Sequence, residues 1–365
     1  MDHACAGRAA RLRPTGRPRT LSPGRLHRTL QAHWETWRPY TLAYPGLVGL
    51  AGAATQNAAT TSALIASGTC TTLGWLGAHY LGDYFDRDLD AVSKPQRPLP
   101  SGRLHPGTAR VCGALALLTA AGITLLVRWP VVVAVLLALA GIVAYSRLLK
   151  HRGLWGNVAR GMLMALAVLY GAAVAAPTGE PPSWQVASVA LIVLLHDTAT
   201  NIVGTLRDVA GDRAGGYRTL PVQRGLAHAT RTATALYAAA LLLAAGTAVL
   251  VAHRAAYLLL LIASAVTGAV ALVPLLRSGG GLGPRAALHG HEVLVGERLV
   301  LAAAVLAGSW GLMAALAALL PLLAVSLVSQ HRMRAKHEFP LAPITDVPDA
   351  GTPGTSQGHT SDAGR

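Results

Sequence analysis

Aspartate is scarce in this chain, and it is clustered. Only 16 Asp and Glu occur among 365 residues. The run Gly82-Asp83-Tyr84-Phe85-Asp86-Arg87-Asp88-Leu89-Asp90, if helical, puts Asp83, Asp86 and Asp90 on one face at i, i+3 and i+7. A second cluster, Leu206-Arg207-Asp208-Val209-Ala210-Gly211-Asp212-Arg213, sets Asp208 and Asp212 one turn apart. Facing carboxylates repel unless a cation lies between them, and hard divalent cations prefer oxygen ligands. Mg²⁺ takes only one or two carboxylates per ion and completes its shell with water and substrate phosphate oxygens. Two opposed clusters therefore specify a seat for a diphosphate held through two or three Mg²⁺ ions. A calcium loop starting at Asp86 does not fit, because Ala91 and Arg97 stand where that loop needs Gly and Glu. The plain alternative, a solvated helix end paired with nearby arginines, explains one cluster more readily than two.

The two clusters are followed by similar sequence. Asp86-x3-Asp90 leads after six residues to Arg97-Pro98-Leu99-Pro100, and Asp208-x3-Asp212 leads after five to Arg218-Thr219-Leu220-Pro221. Such copies predict two related halves with the site where they meet, as membrane repeat architectures arrange it. An anionic substrate also needs cations. Arg38, Lys94, Arg97, Lys150 and Arg218, at the ends of apolar runs, are the candidates to grip a diphosphate, Arg bidentately and Lys as a point charge. Taken singly, each reads more readily as a signal of orientation in the membrane; as a set around two acidic motifs they read as anion ligands. His196, Asp197 and Asn201 interrupt an apolar run, and Asn157 and Arg160 open another. An ionisable residue at membrane depth is a functional hypothesis by default, although His196 reads as well as an interhelical hydrogen bond.

The elements that must carry these residues are transmembrane helices. The chain is 52% hydrophobic and 13% charged, with a net charge of +15 and a mean hydropathy of +0.43. Soluble proteins carry about 25% charged residues, so a water-soluble enzyme is excluded. The basic residues fall between apolar runs rather than on one polar surface, which argues against nucleic acid as a partner. Apolar stretches near 40–57, 63–82, 108–127, 129–147, 156–176, 185–206, 229–252, 255–276 and 297–329 predict an all-α bundle of about nine spans. The pattern is two related four-helix halves plus a final span, in a domain over 34–330. Residues 1–33 and 331–365 read as disordered tails, the first basic and without a signal-peptide core. Basic residues collect in the N-terminal tail and the 83–107, 147–155 and 207–228 loops, which places that end, and the site, on the cytoplasmic side of the cell membrane. Nine spans would leave Arg332, Arg334 and Lys336 on the wrong side. The 33-residue final run is about 50 Å as one helix, so a bent span, or a hairpin through Gly308–Gly311, is the alternative. The three cysteines, Cys5, Cys70 and Cys112, have no disulfide or metal spacing.

These motifs resemble those of the UbiA superfamily of intramembrane prenyltransferases. The family's Asn-Asp-x-x-Asp-x-x-x-Asp is similar to Gly82 through Asp90, followed by Lys94-Pro95-x-Arg97-Pro98-Leu99-Pro100-Ser101-Gly102. Its Asp-x-x-x-Asp with a following Gly-x-Arg-Thr-Leu-Pro stretch is similar to Asp208 through Pro221. Tyr145-Ser146-x-x-Leu149-Lys150, with Gly153, Gly156 and Asn157, and Arg38-Pro39 also fit, so the resemblance covers about residues 35–330. It implies a Mg²⁺-dependent transfer of a prenyl group from a prenyl diphosphate to an acceptor inside the bilayer. Asp83, Asp86, Asp90, Asp208 and Asp212 would hold the metal. Arg38, Lys94, Arg97, Lys150 and Arg218 would hold the diphosphate, and Tyr145, Asn157, His196 and Asn201 would line the acceptor pocket. An aromatic ring is the favoured acceptor, and a hydroxylated lipid the other. A terpene cyclase with the same metal motifs, and a transporter or ion-binding membrane protein, are the competing readings. Gly82 departs from the family's Asn, which leaves one amide contact to metal or phosphate unaccounted for.

Overall fold

A computed structural model describes residues 23–56, 59–177 and 183–339. The first helix, α1 (Pro23–Trp37), falls largely within the stretch read as a disordered tail. One side of it is buried at Ala32 and Thr36, and Trp37 Nε1 donates to the Tyr80 hydroxyl at 2.6 Å. The rest of the proposed 1–33 tail, residues 1–22, lies outside the described residues, as does 340–365 at the other end.

The apolar runs fold as helices whose starts are fixed by proline and by side-chain caps. α2 (Pro39–Ala54) opens on Pro39. α3 (Thr61–Ser93) is capped by Thr60, whose side chain accepts from the Ala63 amide, and α4 (Pro106–Arg128) by His105 with Pro106 behind it. These devices satisfy or remove the orphan donors of a first helical turn. α5 (Val132–Ala144) and α6 (Leu154–Ala175) follow, joined through a π-helical turn at Tyr145–Leu149. α7 (Trp184–Leu206) is capped by Ser183. The second half continues through the short α8 (Val209–Ala214) and α9 (Leu220–Arg224) to α10 (Leu226–Thr247) and α11 (Arg254–Ser278). α3 packs on α2 and α4, α7 packs on α6 and α10, and α2 lies against α6 where the two quartets meet. A Cβ on Gly52 or Gly171 would overlap the facing backbone, so these glycines set the close α2–α6 approach that membrane helices use in place of a hydrophobic drive.

The last apolar run is two helices, not one. α12 (Pro284–Trp310) and α13 (Leu312–Glu338) meet at Gly311, with φ 82° and ψ 171°, a backbone region open to glycine. Gly296 faces Leu323 and Leu327 across the pair, so the helices are antiparallel. This corrects the nine-span expectation. A single helix of that length would overshoot a hydrocarbon layer of about 30 Å, and the hairpin also returns Arg332, Arg334 and Lys336 to the end that carries the other basic loops. It corrects the 331–365 tail as well, because α13 runs to Glu338 and buries Gln330, Arg334, His337 and Glu338.

Among the described residues, seven helical stretches are long and apolar enough to cross a membrane, the 44-residue Pro106–Leu149 containing both α4 and α5. Large side chains such as Leu118, Leu126 and Leu137 face outward, as lipid-facing positions require. Exposed Trp129 and Trp184 at one end, and Trp155 at the other, match the aromatic belts of a bilayer-spanning bundle. At the end holding the acidic clusters, Arg152–Gly153 (β1) and Arg218–Thr219 (β2) pair as two short parallel strands, tying a loop of one half to a loop of the other.

Candidate active site

The aspartate face predicted for α3 is present. Asp83, Asp86 and Asp90 are buried, whereas the Asp88 side chain is 85% exposed beside Arg87. The second cluster sits on a break rather than on one continuous helix. α7 ends at Leu206, Asp208 caps α8, and the Asp212 amide donates to the Asp208 carbonyl at 2.8 Å. The two clusters face each other across one cavity of about 410 Å³. Lys94 bridges them, since it follows α3 and its ammonium lies 3.0 Å from Asp208.

Each aspartate but one holds a cation. Arg38 donates to Asp83 at 2.5 Å, Lys150 to Asp86, and Arg97 to Asp90 at 2.9 Å. Arg38 reaches Asp83 from a left-handed backbone, φ 47°, and it is the only non-glycine residue with positive φ among those described. Such a conformation costs on the order of 1–3 kcal/mol and concentrates at functional sites. Burial would lower the Lys150 ammonium pKa, but the Asp86 carboxylate outweighs it and raises it. Burial raises Asp208, but Arg207 and Lys94 outweigh it, so its pKa falls below the usual range. Among the described residues Asp212 has no ion-pair partner, and it accepts from the Thr219 hydroxyl at 2.9 Å. Burial and the neighbouring Asp208 charge push it up to about 6.

Four of the five predicted diphosphate cations, Arg38, Lys94, Arg97 and Lys150, line this cavity, and Arg218 does not. Arg218 is exposed on β2, and the reason is phase. In the first motif the residue seven after Asp90 is Arg97; in the second, one residue shorter, the residue seven after Asp212 is Thr219, so the threonine turns inward. Tyr145, Asn157 and Asn201 line the cavity as expected. His196 lies elsewhere, bonded at 2.7 Å to Glu297, which also accepts from Tyr237 and Ser264. It is the interhelical hydrogen bond that the sequence left as its alternative.

Arg207, His291, Arg334 and Glu338 complete the wall and were missed in the sequence. Glu338, whose side chain is 4% exposed, takes Lys94 at 2.9 Å, Arg97 at 3.1 Å and Arg207 at 3.1 Å. The signal for it was spacing: Gln330, Arg334, His337 and Glu338 form one stripe of a helix, hidden in a segment whose charge reads as a tail.

The residues fit Mg²⁺ that arrives with its substrate. Asp83 Oδ2 and Asp86 Oδ1 are buried without a hydrogen-bond partner, which is costly unless something else occupies them. Among the described residues no three His, Cys, Asp or Glu side chains already enclose a metal position, consistent with ions that depend on phosphate oxygens for much of their shell. Gly82 lines the cavity, and a Cβ there meets nothing within 4 Å. Ala78 borders both this cavity and an apolar pocket lined by Trp75, Leu117, Met164 and Tyr170, so a polar head and a hydrocarbon chain have adjoining space.

The profile of the UbiA prenyltransferase family matches residues 42–288. The digeranylgeranylglyceryl phosphate synthase of Ignicoccus hospitalis is 37% identical over 218 residues, 59% of this chain and 71% of the relative. The enzyme of the same name from Methanopyrus kandleri is 34% identical over 211 residues, 56% of this chain and 74% of the relative. A solved UbiA homologue from Archaeoglobus fulgidus bound to GPP and Mg²⁺ superposes with a TM-score of 0.58 at 16% identity, covering 77% of this chain and 99% of that one. A solved digeranylgeranylglyceryl phosphate synthase gives 0.58 at 20% identity, with 77% and 98% covered.

Proposed function

Because the chain belongs to the UbiA prenyltransferase family, we propose that this multi-pass membrane protein transfers a prenyl group from its diphosphate to the free hydroxyl of a glyceryl phosphate lipid. The site end faces the cytoplasm in this reading, which the basic loops gathered there support. The observation that carries the chemistry is the pairing of Asp83, Asp86, Asp90 and Asp208 with Arg38, Lys150, Arg97 and Lys94 around one cavity. Stored in this way, the cations are in place for an incoming diphosphate. Mg²⁺, when held by the five aspartates, supplies Lewis-acid charge to the leaving group. Once the carboxylates have that other partner, Arg38, Lys94, Arg97 and Lys150 turn to the diphosphate oxygens and stabilise the charge that grows as the C1–O bond lengthens. The allylic cation left at C1 is held away from water by the closed bundle. The acceptor oxygen attacks C1, an ether bond forms, and the hydroxyl proton passes to an oxygen of the departing diphosphate.

The lipid acceptor is favoured over the aromatic ring by the relatives' shared name, digeranylgeranylglyceryl phosphate synthase. The transporter reading finds less support, because the aspartate clusters stand at helix ends on one side of the bundle rather than at broken helices near its middle. The test uses full-length protein in lipid nanodiscs with Mg²⁺, radiolabelled prenyl diphosphates of increasing length, and either a monoprenyl glyceryl phosphate or an aromatic acceptor. Label in an ether lipid with release of inorganic diphosphate is the expected result. No release under any combination overturns the proposal, and a cyclic hydrocarbon formed without acceptor would identify a cyclase.

A further inference from the structure

One wall of the cavity carries positive charge that the aspartates do not answer. Arg334 on α13 is 1% exposed and lines the cavity. The other lining arginines each have a carboxylate within ion-pair distance: Asp83 for Arg38, Asp90 for Arg97, Asp197 for Arg160, and Asp208 with Glu338 for Arg207. Among the described residues Arg334 has none. Its guanidinium instead donates to Gln330 Oε1 at 2.6 Å and reaches His291 Nδ1 at 2.5 Å, and its Nε is buried without a partner. Arg207 Nη1 lies 3.1 Å from the same His291 Nδ1. Two guanidiniums therefore converge on a nitrogen with a single lone pair, where a phosphate oxygen would satisfy both. The ring of Tyr40 lies 5.1 Å from the Arg334 guanidinium. Its hydroxyl, on a residue 3% exposed, also lacks a partner and belongs to the same wall.

We propose that Arg334 and Arg207, converging at His291, with the Tyr40 hydroxyl beside them, form a subsite for the phosphate monoester of the acceptor, adjoining the diphosphate seat through Arg207. The proposal rests on the lipid-acceptor reading above and names the group that selects the acceptor. Arg334 and His291, on the α12–α13 hairpin, lie beyond the 42–288 stretch that matches the family, whereas Arg207 stands beside Asp208 of the second motif and Tyr40 on α2.

The test separates binding from turnover. Full-length protein is first loaded with Mg²⁺ and an unreactive prenyl thiolodiphosphate, and glycerol phosphate is then titrated calorimetrically. Wild type binds it saturably, Arg334→Gln weakens binding about ten- to a hundredfold, as loss of a charge-assisted pair does, and Arg334→Lys recovers part of the loss. Inorganic phosphate titrated in parallel tells whether the phosphate alone is recognised or the glyceryl ester with it; either result supports the subsite. In turnover, the kcat/KM ratio for phosphorylated over phosphate-free acceptor falls by the same factor in Arg334→Gln. Should that variant fail to fold, Tyr40→Phe gives a smaller loss of the same selectivity. Absence of saturable binding in wild type, or equal binding in wild type and Arg334→Gln, overturns the subsite. Glycerol phosphate binding without any prenyl transfer would instead sink the functional reading and leave the subsite standing.

Discussion

Glu338 is the residue whose replacement most sharply tests the electrostatics of this site. Its carboxylate is buried among Lys94, Arg97 and Arg207. Glu338→Gln keeps the side chain's shape and removes the one anion those three cations share with the aspartates. Breaking a buried ion pair from one side costs about 3–5 kcal/mol, because the remaining charge is left desolvated and unanswered. Lys94 and Arg207 keep Asp208, and Arg97 keeps Asp90, so the ligand-free variant should lose part of that amount rather than all of it. A bound diphosphate supplies the missing anion, so the penalty shrinks in the liganded state, and the difference appears as affinity. Recovery of only 1.4 kcal/mol is a tenfold tighter Kd, and recovery of twice that is about a hundredfold. Thermal unfolding of detergent-purified protein, with and without Mg²⁺ and an unreactive prenyl diphosphate, reads the stability, and titration calorimetry reads the Kd. Wild-type melting together with unchanged or weaker diphosphate binding would refute the idea that Glu338 and the substrate compete for the same cations.

Further outcomes follow from the same geometry. Asp83→Ala, Asp86→Ala and Asp208→Ala each abolish diphosphate release while leaving membrane insertion intact; near-wild-type rates in any two of them would remove the metal assignment. Gly82→Asn, which restores the family's residue at a position with open space, keeps activity or raises it, and a dead variant would mean that the bare backbone at this point has a use of its own. Asp212, pushed up to about 6 by burial and the Asp208 charge, is neutral below that pH and must lose its proton before it can bind a cation. The Mg²⁺ concentration for half-maximal rate therefore climbs as pH falls through 6, by about tenfold per unit once the acid form dominates, and levels off above 7. Asp212→Asn should flatten that dependence.

The sequence was legible where one physical rule acted alone. Continuous apolar runs located the helices because a bilayer leaves the backbone no other solution, and the i, i+3, i+7 spacing put Asp83, Asp86 and Asp90 on one face. It was misleading where two rules opposed each other. Charge density made 331–338 read as a tail, yet each charged residue that turns inward there finds a partner of opposite sign or a ring. In the same way Arg285, His289, His291 and Glu292 interrupt 284–296 and put the apparent start of the last run at 297, although α12 starts at Pro284. The motif copy at Arg218 misled because the second spacer is one residue shorter, which turns Thr219 rather than the arginine toward Asp212.

The turn at Gly311 decides where the polypeptide comes out. α13 returns from Gly311 to the end of the bundle where α1 and the acidic clusters lie, so the described chain starts and finishes at one end. α1 rests near Tyr80, and α13 finishes among Lys94, Arg97 and Arg207. A reporter placed just before α1 or just after α13 thus lies at the same end as the candidate site, and complementary fragments at those two positions would find each other within a single molecule. By the same token a bulky group attached directly after Phe339, which lines the cavity, would crowd the candidate site.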